Sequence, residues 1–117
     1  GKTWGKTQVV WDDAANTCGN PCPVVDARTG TIHMLMTHNL GTDSESAIVS
    51  GKSKASRTVW ITSSSDDGET WSKPTEITKD VKKDGWTWYA TGPGVGIQLK
   101  SGRLLIPCDS KSDGGKT

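Results

Sequence analysis

The chain has 117 residues, 14 glycines, six tryptophans, no phenylalanine and a hydrophobic fraction of 32%, a composition that suits turn-rich β structure better than a helical core. Fourteen basic residues against 13 acidic ones leave a formal charge of +1, so nothing electrostatic points to a nucleic-acid partner. No apolar run approaches the length of a membrane span, and no charged-then-apolar leader is visible.

Strands are expected along the whole chain, with no convincing amphipathic helix. Residues 7–11 form a short apolar run, followed by a loop over residues 12–20 rich in small and polar side chains. Residues 21–26 read as a strand beginning on proline and ended by the turn Ala27-Arg28-Thr29-Gly30, with residues 31–37 returning as its partner. Residues 39–56 hold too little apolar content for a core strand and are taken as an insertion. Residues 57–63 alternate into Ser64-Ser65-Asp66-Asp67-Gly68-Glu69-Thr70-Trp71, and residues 74–77 lead to the outer edge of a sheet. The densest charge run, residues 79–84, reads as a solvated loop. Residues 97–99, the turn Ser101-Gly102 and residues 103–107 form a further hairpin. The segment Ser112-Asp113-Gly114-Gly115-Lys116 reads either as a motif cut short or as a Gly-rich loop. Cys18, Cys22 and Cys108 lack a paired C-x-x-C spacing, and neither His33 nor His38 obviously completes a zinc site. Buried free thiols are expected, with a Cys18–Cys22 bridge as the alternative.

The octapeptide from Ser64 to Trp71 fills every place of the pattern S-x-D-x-G-x-T-W, and its second half recurs as Gly1-Lys2-Thr3-Trp4. The shift between the two copies is 67 residues, longer than the roughly 40 to 50 residues of one four-stranded repeat, so a long loop belongs between them. Ser and Asp side chains bond nearby backbone N–H groups, and glycine supplies the positive φ of a tight turn. Ser64, Asp66, Gly68, Thr70 and Trp71 are therefore expected to be structural. The adjacent pair Asp66 and Asp67 is not taken as catalytic.

This octapeptide is an Asp box. With Asn20-Pro21-Cys22-Pro23-Val24-Val25-Asp26, the run Trp88-Tyr89-Ala90-Thr91-Gly92-Pro93-Gly94-Val95-Gly96-Ile97-Gln98-Leu99 and then Gly102-Arg103-Leu104-Leu105-Ile106-Pro107, the chain resembles bacterial exo-α-sialidases of the Asp-box (BNR) propeller family. The stretches stand in the family's order and span nearly the whole chain. The resemblance implies an all-β fold: about two blades of a six-bladed β-propeller, with residues 1–117 as a partial domain, an Asp box at residues 64–71 and a truncated one at residues 1–4. A whole propeller of this kind needs roughly three times this length.

The resemblance also implies a mechanism. Such enzymes hold the sugar carboxylate with three arginines, use an Asp as general acid/base and a Tyr activated by a Glu as nucleophile. A neutral phenol suits an anionic substrate, because a carboxylate nucleophile would repel the carboxyl group beside the reacting carbon. No catalytic residue of this set is matched in the chain, and no metal or organic cofactor is needed. What the chain is expected to supply is one wall of a pocket for sialylated glycans. Asp26, His38 and Asn39 would face the glycerol and N-acyl groups, with Trp88, Tyr89 and Thr91 along the mouth. Simple turn, loop-edge and core roles are the alternatives for these residues. Tyr89 is the only tyrosine, but its surroundings do not match the family's nucleophile motif. Arg57 and Arg103 likewise stand outside the clamp's context. The resemblance further implies a secreted, periplasmic or cell-surface bacterial parent. A non-catalytic Asp-box propeller, binding carbohydrate or serving a structural role, is the competing reading. Two blades alone would leave open sheet faces, so the segment by itself is expected to be inactive and poorly stable.

Overall fold

The computed structural model describes residues 1–112, so most of the expected motif at residues 112–116 lies outside the described residues. In chain order the elements are β1 (Thr17–Asp26), β2 (Thr31–Asn39), α1 (Glu45–Val49), β3 (Thr58–Ser64), β4 (Thr75–Glu76), α2 (Thr78–Val81), β5 (Trp86–Thr91), β6 (Ile97–Gln98), β7 (Leu104–Leu105) and β8 (Cys108–Ser112). The first four strands form one antiparallel sheet in the order β1-β2-β3-β4, while β5 pairs with β8 and β6 with β7. Strands β5 and β6 on one side and β7 and β8 on the other make a single long hairpin, broken at residues 92–96 and 106–107. The fold is all-β: one four-stranded blade followed by the inner hairpin of the next.

Side-chain alternation decides what each face meets. Cys22 and Val24 of β1, Leu35 and Thr37 of β2 and Val59 of β3 are buried together on the face that packs against β5, where Tyr89, Ala90 and Thr91 are also buried. The seam is hydrogen-bonded as well. Thr91 Oγ1 donates to the Asn20 carbonyl at 2.5 Å, Cys22 Sγ to that of Gly94 at 3.4 Å, and Gly96 N–H to that of Pro23 at 2.7 Å. On the far side of the pair, Val95, Ile97, Leu99 and Leu105 are exposed large apolar side chains. The other face of the first sheet carries Met34 and Met36, which share a cleft with Val9, Val10 and Trp11. Both outer faces thus have the apolar character of surfaces that adjacent blades cover in repeat architectures.

Four expectations need correction. Residues 7–11 form no strand; they run irregularly across the Met34 and Met36 face. Two helices were not foreseen, because five and four residues are too few for a 3.6-residue period to show. The first, α1, sits inside the expected insertion: Ser44 Oγ accepts from Ala47 N–H at 3.2 Å, and Ile48 is fully buried. The loop after it is pinned by Asp43, whose two carboxylate oxygens accept from the N–H groups of Lys54 and Ala55 at 3.1 Å each. The second helix, α2, falls in the charge run that read as a loop. Strand β8 was also missed: the strand read over residues 103–107 is only Leu104–Leu105 as β7, and Cys108–Ser112 pairs separately with β5. Of the three thiols, only Cys22 is buried; Cys18 is half-buried, Cys108 is exposed, and all three are free. Among the described residues no helix is long and apolar enough to cross a membrane.

The octapeptide closes on itself between β3 and β4. Ser64 Oγ accepts from Gly68 N–H at 2.9 Å and donates to Asp66 Oδ1 at 2.8 Å. Asp66 also accepts from Thr70 N–H at 2.9 Å and from Thr70 Oγ1, and the Trp71 indole N–H reaches back to the Gly68 carbonyl at 3.1 Å. Both Asp67 and Gly68 take positive φ, 58° and 87°, the pair that a primed hairpin turn requires. Thr70's hydroxyl and N–H and Ser64's hydroxyl hold the Asp66 carboxyl below its ordinary value. A carboxyl whose folded pKa lies below its unfolded one adds stability at pH above the unfolded value, and that contribution is lost as pH falls through the folded one. Thermal midpoints are therefore expected to drop on acidification below about pH 4. Asp66→Asn should melt lower at neutral pH and show a shallower acid decline. Identical acid limbs in melting curves of the two proteins would show that the turn carboxylate adds nothing.

Candidate functional site

The two ends of the β1–β2 hairpin are chemically different. Asp26 pairs with Thr31 beside the turn, whereas Thr17 pairs with Asn39 at the other end, about 25 Å away at strand rise. The structure therefore does not bring Asp26 together with His38 and Asn39. Its carboxylate is occupied by the turn and the next hairpin: it accepts from Arg28 N–H at 3.0 Å and Gln98 Nε2 at 2.9 Å, and lies 3.4 Å from Arg28 Nη2. Those bonds, Gln98 first, hold it below the ordinary carboxylate range.

The polar cluster at the far end is organised by Arg57, which is only 5% exposed. Its Nη1 donates to Asn39 Oδ1 at 2.8 Å, and its Nη2 to Thr37 Oγ1 at 2.6 Å and to Asn20 Oδ1. The guanidinium carbon lies 4.1 Å from the centre of the Trp88 ring, a cation–π geometry. No carboxylate pairs with Arg57 among the described residues, and its Nε has no partner there. Burial lowers its pKa, while the Glu45 and Asp109 carboxylates nearby act to raise it. An arginine stays charged under such opposing pressures.

Over this buried cation lies a more open rim. Asn20 is exposed and takes φ +53°, a conformation that asparagine tolerates better than most residues. It stands in the irregularity of β1 between Gly19 and Cys22, so its side chain drops onto Arg57 while its carbonyl receives Thr91. Trp88 is half-buried, and its indole N–H donates to Asp109 Oδ1 at 3.1 Å. Asn20, Trp88 and Asp109 are thus held from beneath by Arg57, Thr37, Asn39 and Thr91. Strained or left-handed residues supported in this way cluster at functional sites.

The remaining expected residues point elsewhere. His38 alternates with Thr37 and Asn39 and faces the opposite side of β2, where its Nε2 is 2.7 Å from Asp13 and its ring stacks on Trp11 at 5.4 Å. Tyr89 is buried and stacks on Trp86 at 6.1 Å. Burial, reinforced by the Cys108 thiol, pushes its phenol well above the ordinary value, so at neutral pH it is a protonated phenol. Asn20 and Arg57 were missed as site residues. An Asn directly before a proline was a legible signal for an irregular strand; the burial of Arg57 had no signal in its neighbours.

Taken together, one four-stranded blade and the hairpin of the next, with the arginine-centred polar cluster at one end of their seam, make up a fragment of a β-propeller. Residues 1–116 match the BNR repeat-like domain, and the chain belongs to that family. It is 38% identical over 115 residues to an exo-alpha-sialidase of Aspergillus fumigatus, covering 89% of this chain and 28% of that protein. A sialidase of Bacteroides fragilis is 30% identical over 119 residues, with 92% of this chain and 22% of the relative covered. The structure superposes on the Hadza microbial sialidase Hz136 with a TM-score of 0.84 at 28% identity, over 98% of this chain and 25% of that one. The chain therefore spans between a fifth and three tenths of the length of these relatives, and the resemblance is not confined to bacteria.

Proposed function

We propose that the protein containing this chain is an exo-α-sialidase that hydrolyses terminal α-linked sialic acid from glycoproteins, glycolipids and oligosaccharides. On this reading residues 1–117 are about two blades of a six-bladed Asp-box propeller. The observation that carries it is the superposition on a solved sialidase over 98% of the chain, at 28% identity. The cluster around Arg57 is then one wall of the pocket, with Asn20, Asn39, Trp88 and Thr91 in or directly behind it. Its electrostatics favour a division of labour. Glu45 and Asp109 lie at this wall, and carboxylates repel an anionic group, so the wall suits the hydroxyl and N-acyl groups of the sugar. Both Nη atoms of Arg57 are engaged inside the wall and leave the sugar carboxylate to arginines of other blades. Acid/base and nucleophilic roles also fall to other blades.

Recovering the reading frame on both sides of this segment tests the proposal. The expected result is an Arg-Ile-Pro stretch and an acid/base Asp upstream, with a Tyr, a Glu and two further clamp arginines downstream. A frame with more Asp boxes but none of those residues would replace the enzyme with a carbohydrate-binding or structural propeller.

A further inference from the structure

Strand β5 does not pair evenly with β8. Trp86 stands opposite Ser112 and Trp88 opposite Lys111, so Thr87 is an extra residue, a β-bulge. Without it, Trp86 and Trp88 would share one face of the strand. With it they part: Trp86 stacks on Tyr89, three residues on, while the centre of the Trp88 ring lies 4.1 Å from the Arg57 guanidinium carbon. The bulge thus aims Trp88 at the Arg57 cluster, and whatever fixes Thr87 fixes that ring.

Lys82, directly after α2, is placed to do so. Its Nζ donates to Ser56 Oγ and to the Arg57 carbonyl at 2.8 Å each, and to the Thr87 carbonyl at 3.4 Å. Three oxygen acceptors for three hydrogens suit an ammonium group. Burial first, and the Arg57 charge second, lower its pKa, and among the described residues no carboxylate lies within ion-pair distance of it. A half-buried cation of this kind depends on its hydrogen bonds. The backbone behind it is anchored to β3: Lys82 N–H donates to the Thr78 carbonyl at 2.9 Å, and Thr78 Oγ1 accepts from Val59 N–H at 2.9 Å. The bulge is held from its other side, where Thr87 Oγ1 donates to the Val49 carbonyl at 2.9 Å. One ammonium group therefore ties the backbone of Arg57 to the bulge that carries Trp88.

Resting on the proposed sialidase reading, we propose that Lys82 is a positioning residue for the sugar-binding wall: it touches no substrate, and by locking the Arg57 and Thr87 carbonyls in one arrangement it sets Trp88 over the guanidinium. The wall carries neither the acid/base nor the nucleophile, so its misplacement weakens binding of substrate and transition state alike, which raises KM and leaves kcat nearly unchanged.

The test compares the full-length protein with Lys82→Met, which keeps an unbranched apolar stem and loses all three bonds, and with Lys83→Met, which removes an exposed ammonium group next to it. Lys82→Met is expected to raise KM for a sialyl-oligosaccharide about fivefold with kcat within about twofold, and Lys83→Met to keep the parent's values. A second readout does not depend on turnover. The indole N–H resonance of Trp88, assigned by its loss in Trp88→Phe, is expected to shift in Lys82→Met while that of Trp71 in the Asp box stays in place. Should Lys82→Met fail to fold, Ser56→Ala removes one of the three anchors at an exposed position, and is expected to shift the same resonance and raise KM about twofold. A folded Lys82→Met with the parent's Trp88 resonance and KM, or a loss confined to the amount of folded protein, would overturn the inference. So would an equal rise in KM for Lys83→Met, which would assign the effect to lost attraction for an anionic substrate. A parent that releases no sialic acid removes the sialidase reading, while a Trp88 resonance that depends on Lys82 still supports the brace.

Discussion

Replacing Arg57 with alanine is expected to destabilise the full-length protein by about 4 kcal/mol. The change removes three charge-assisted bonds at once; Asn39 Oδ1 and Thr37 Oγ1 lose the guanidinium donor, and Asn20 Oδ1 keeps only the Thr37 hydroxyl at 3.2 Å. Thr37 and Asn39 are buried, so water does not readily replace the guanidinium. The Trp88 ring also loses the cation beneath it. Lysine keeps the charge but presents it as a single point, which cannot serve acceptors on β1 and β2 in the forked geometry of a guanidinium. Arg57→Lys should therefore recover less than half of the loss. Urea denaturation of the three proteins measures this directly. An alanine variant within about 1 kcal/mol of the parent would mean that the cluster is not structurally coupled.

Gly96→Ala is the second large effect, and it acts on the seam between the blades. A β-carbon at this position would stand 2.6 Å from Val24 Cβ, 2.7 Å from the Leu105 carbonyl oxygen and 3.0 Å from Ile106 Cγ1. Two of those neighbours belong to rigid parts of strands on either side, so the added methyl has to push β1 and β7 apart. Gly96 N–H also donates to the Pro23 carbonyl at 2.7 Å, and that bond lengthens with the separation. Overpacking of this kind costs about 3 kcal/mol. Thermal unfolding followed by tryptophan fluorescence should show an earlier transition, with the amides of Cys22, Val24 and residues 96–98 exchanging faster. An unchanged midpoint would show that the seam has room the geometry denies.

Much of this architecture was legible in the residues. The turn at Ala27-Arg28-Thr29-Gly30 and the alternation on either side of it gave the turn-side parts of β1 and β2, because a half-buried hairpin writes its register as a two-residue period, but residues 17–20, read as loop, belong to β1. What stayed hidden was set by contacts between distant segments. The helix α1 is decided by a serine cap and by one buried isoleucine, and β8 by its pairing with β5 across a broken hairpin. The site was legible only in part for the same reason. Asp26 and Asn39 bound one hairpin in sequence, yet the rise of the strands carries them to opposite ends. His38 and Asn39 are neighbours in sequence, and the pleat turns them to opposite faces. Arg57 looked like an ordinary arginine at a strand start, since burial of a cation depends on partners 18, 20 and 37 residues away.

The most direct test of the whole account is the rate of sialic acid release from a terminal α-linked sialyl-oligosaccharide, measured for the full-length protein and for its Asn20→Ala variant. The parent is expected to release free sialic acid, and the variant to lose about tenfold in kcat/KM while remaining folded, as the removal of one well-placed polar group does. A folded parent that releases no sialic acid, or a variant as active as the parent, would contradict the assignment of this wall to a sialidase pocket.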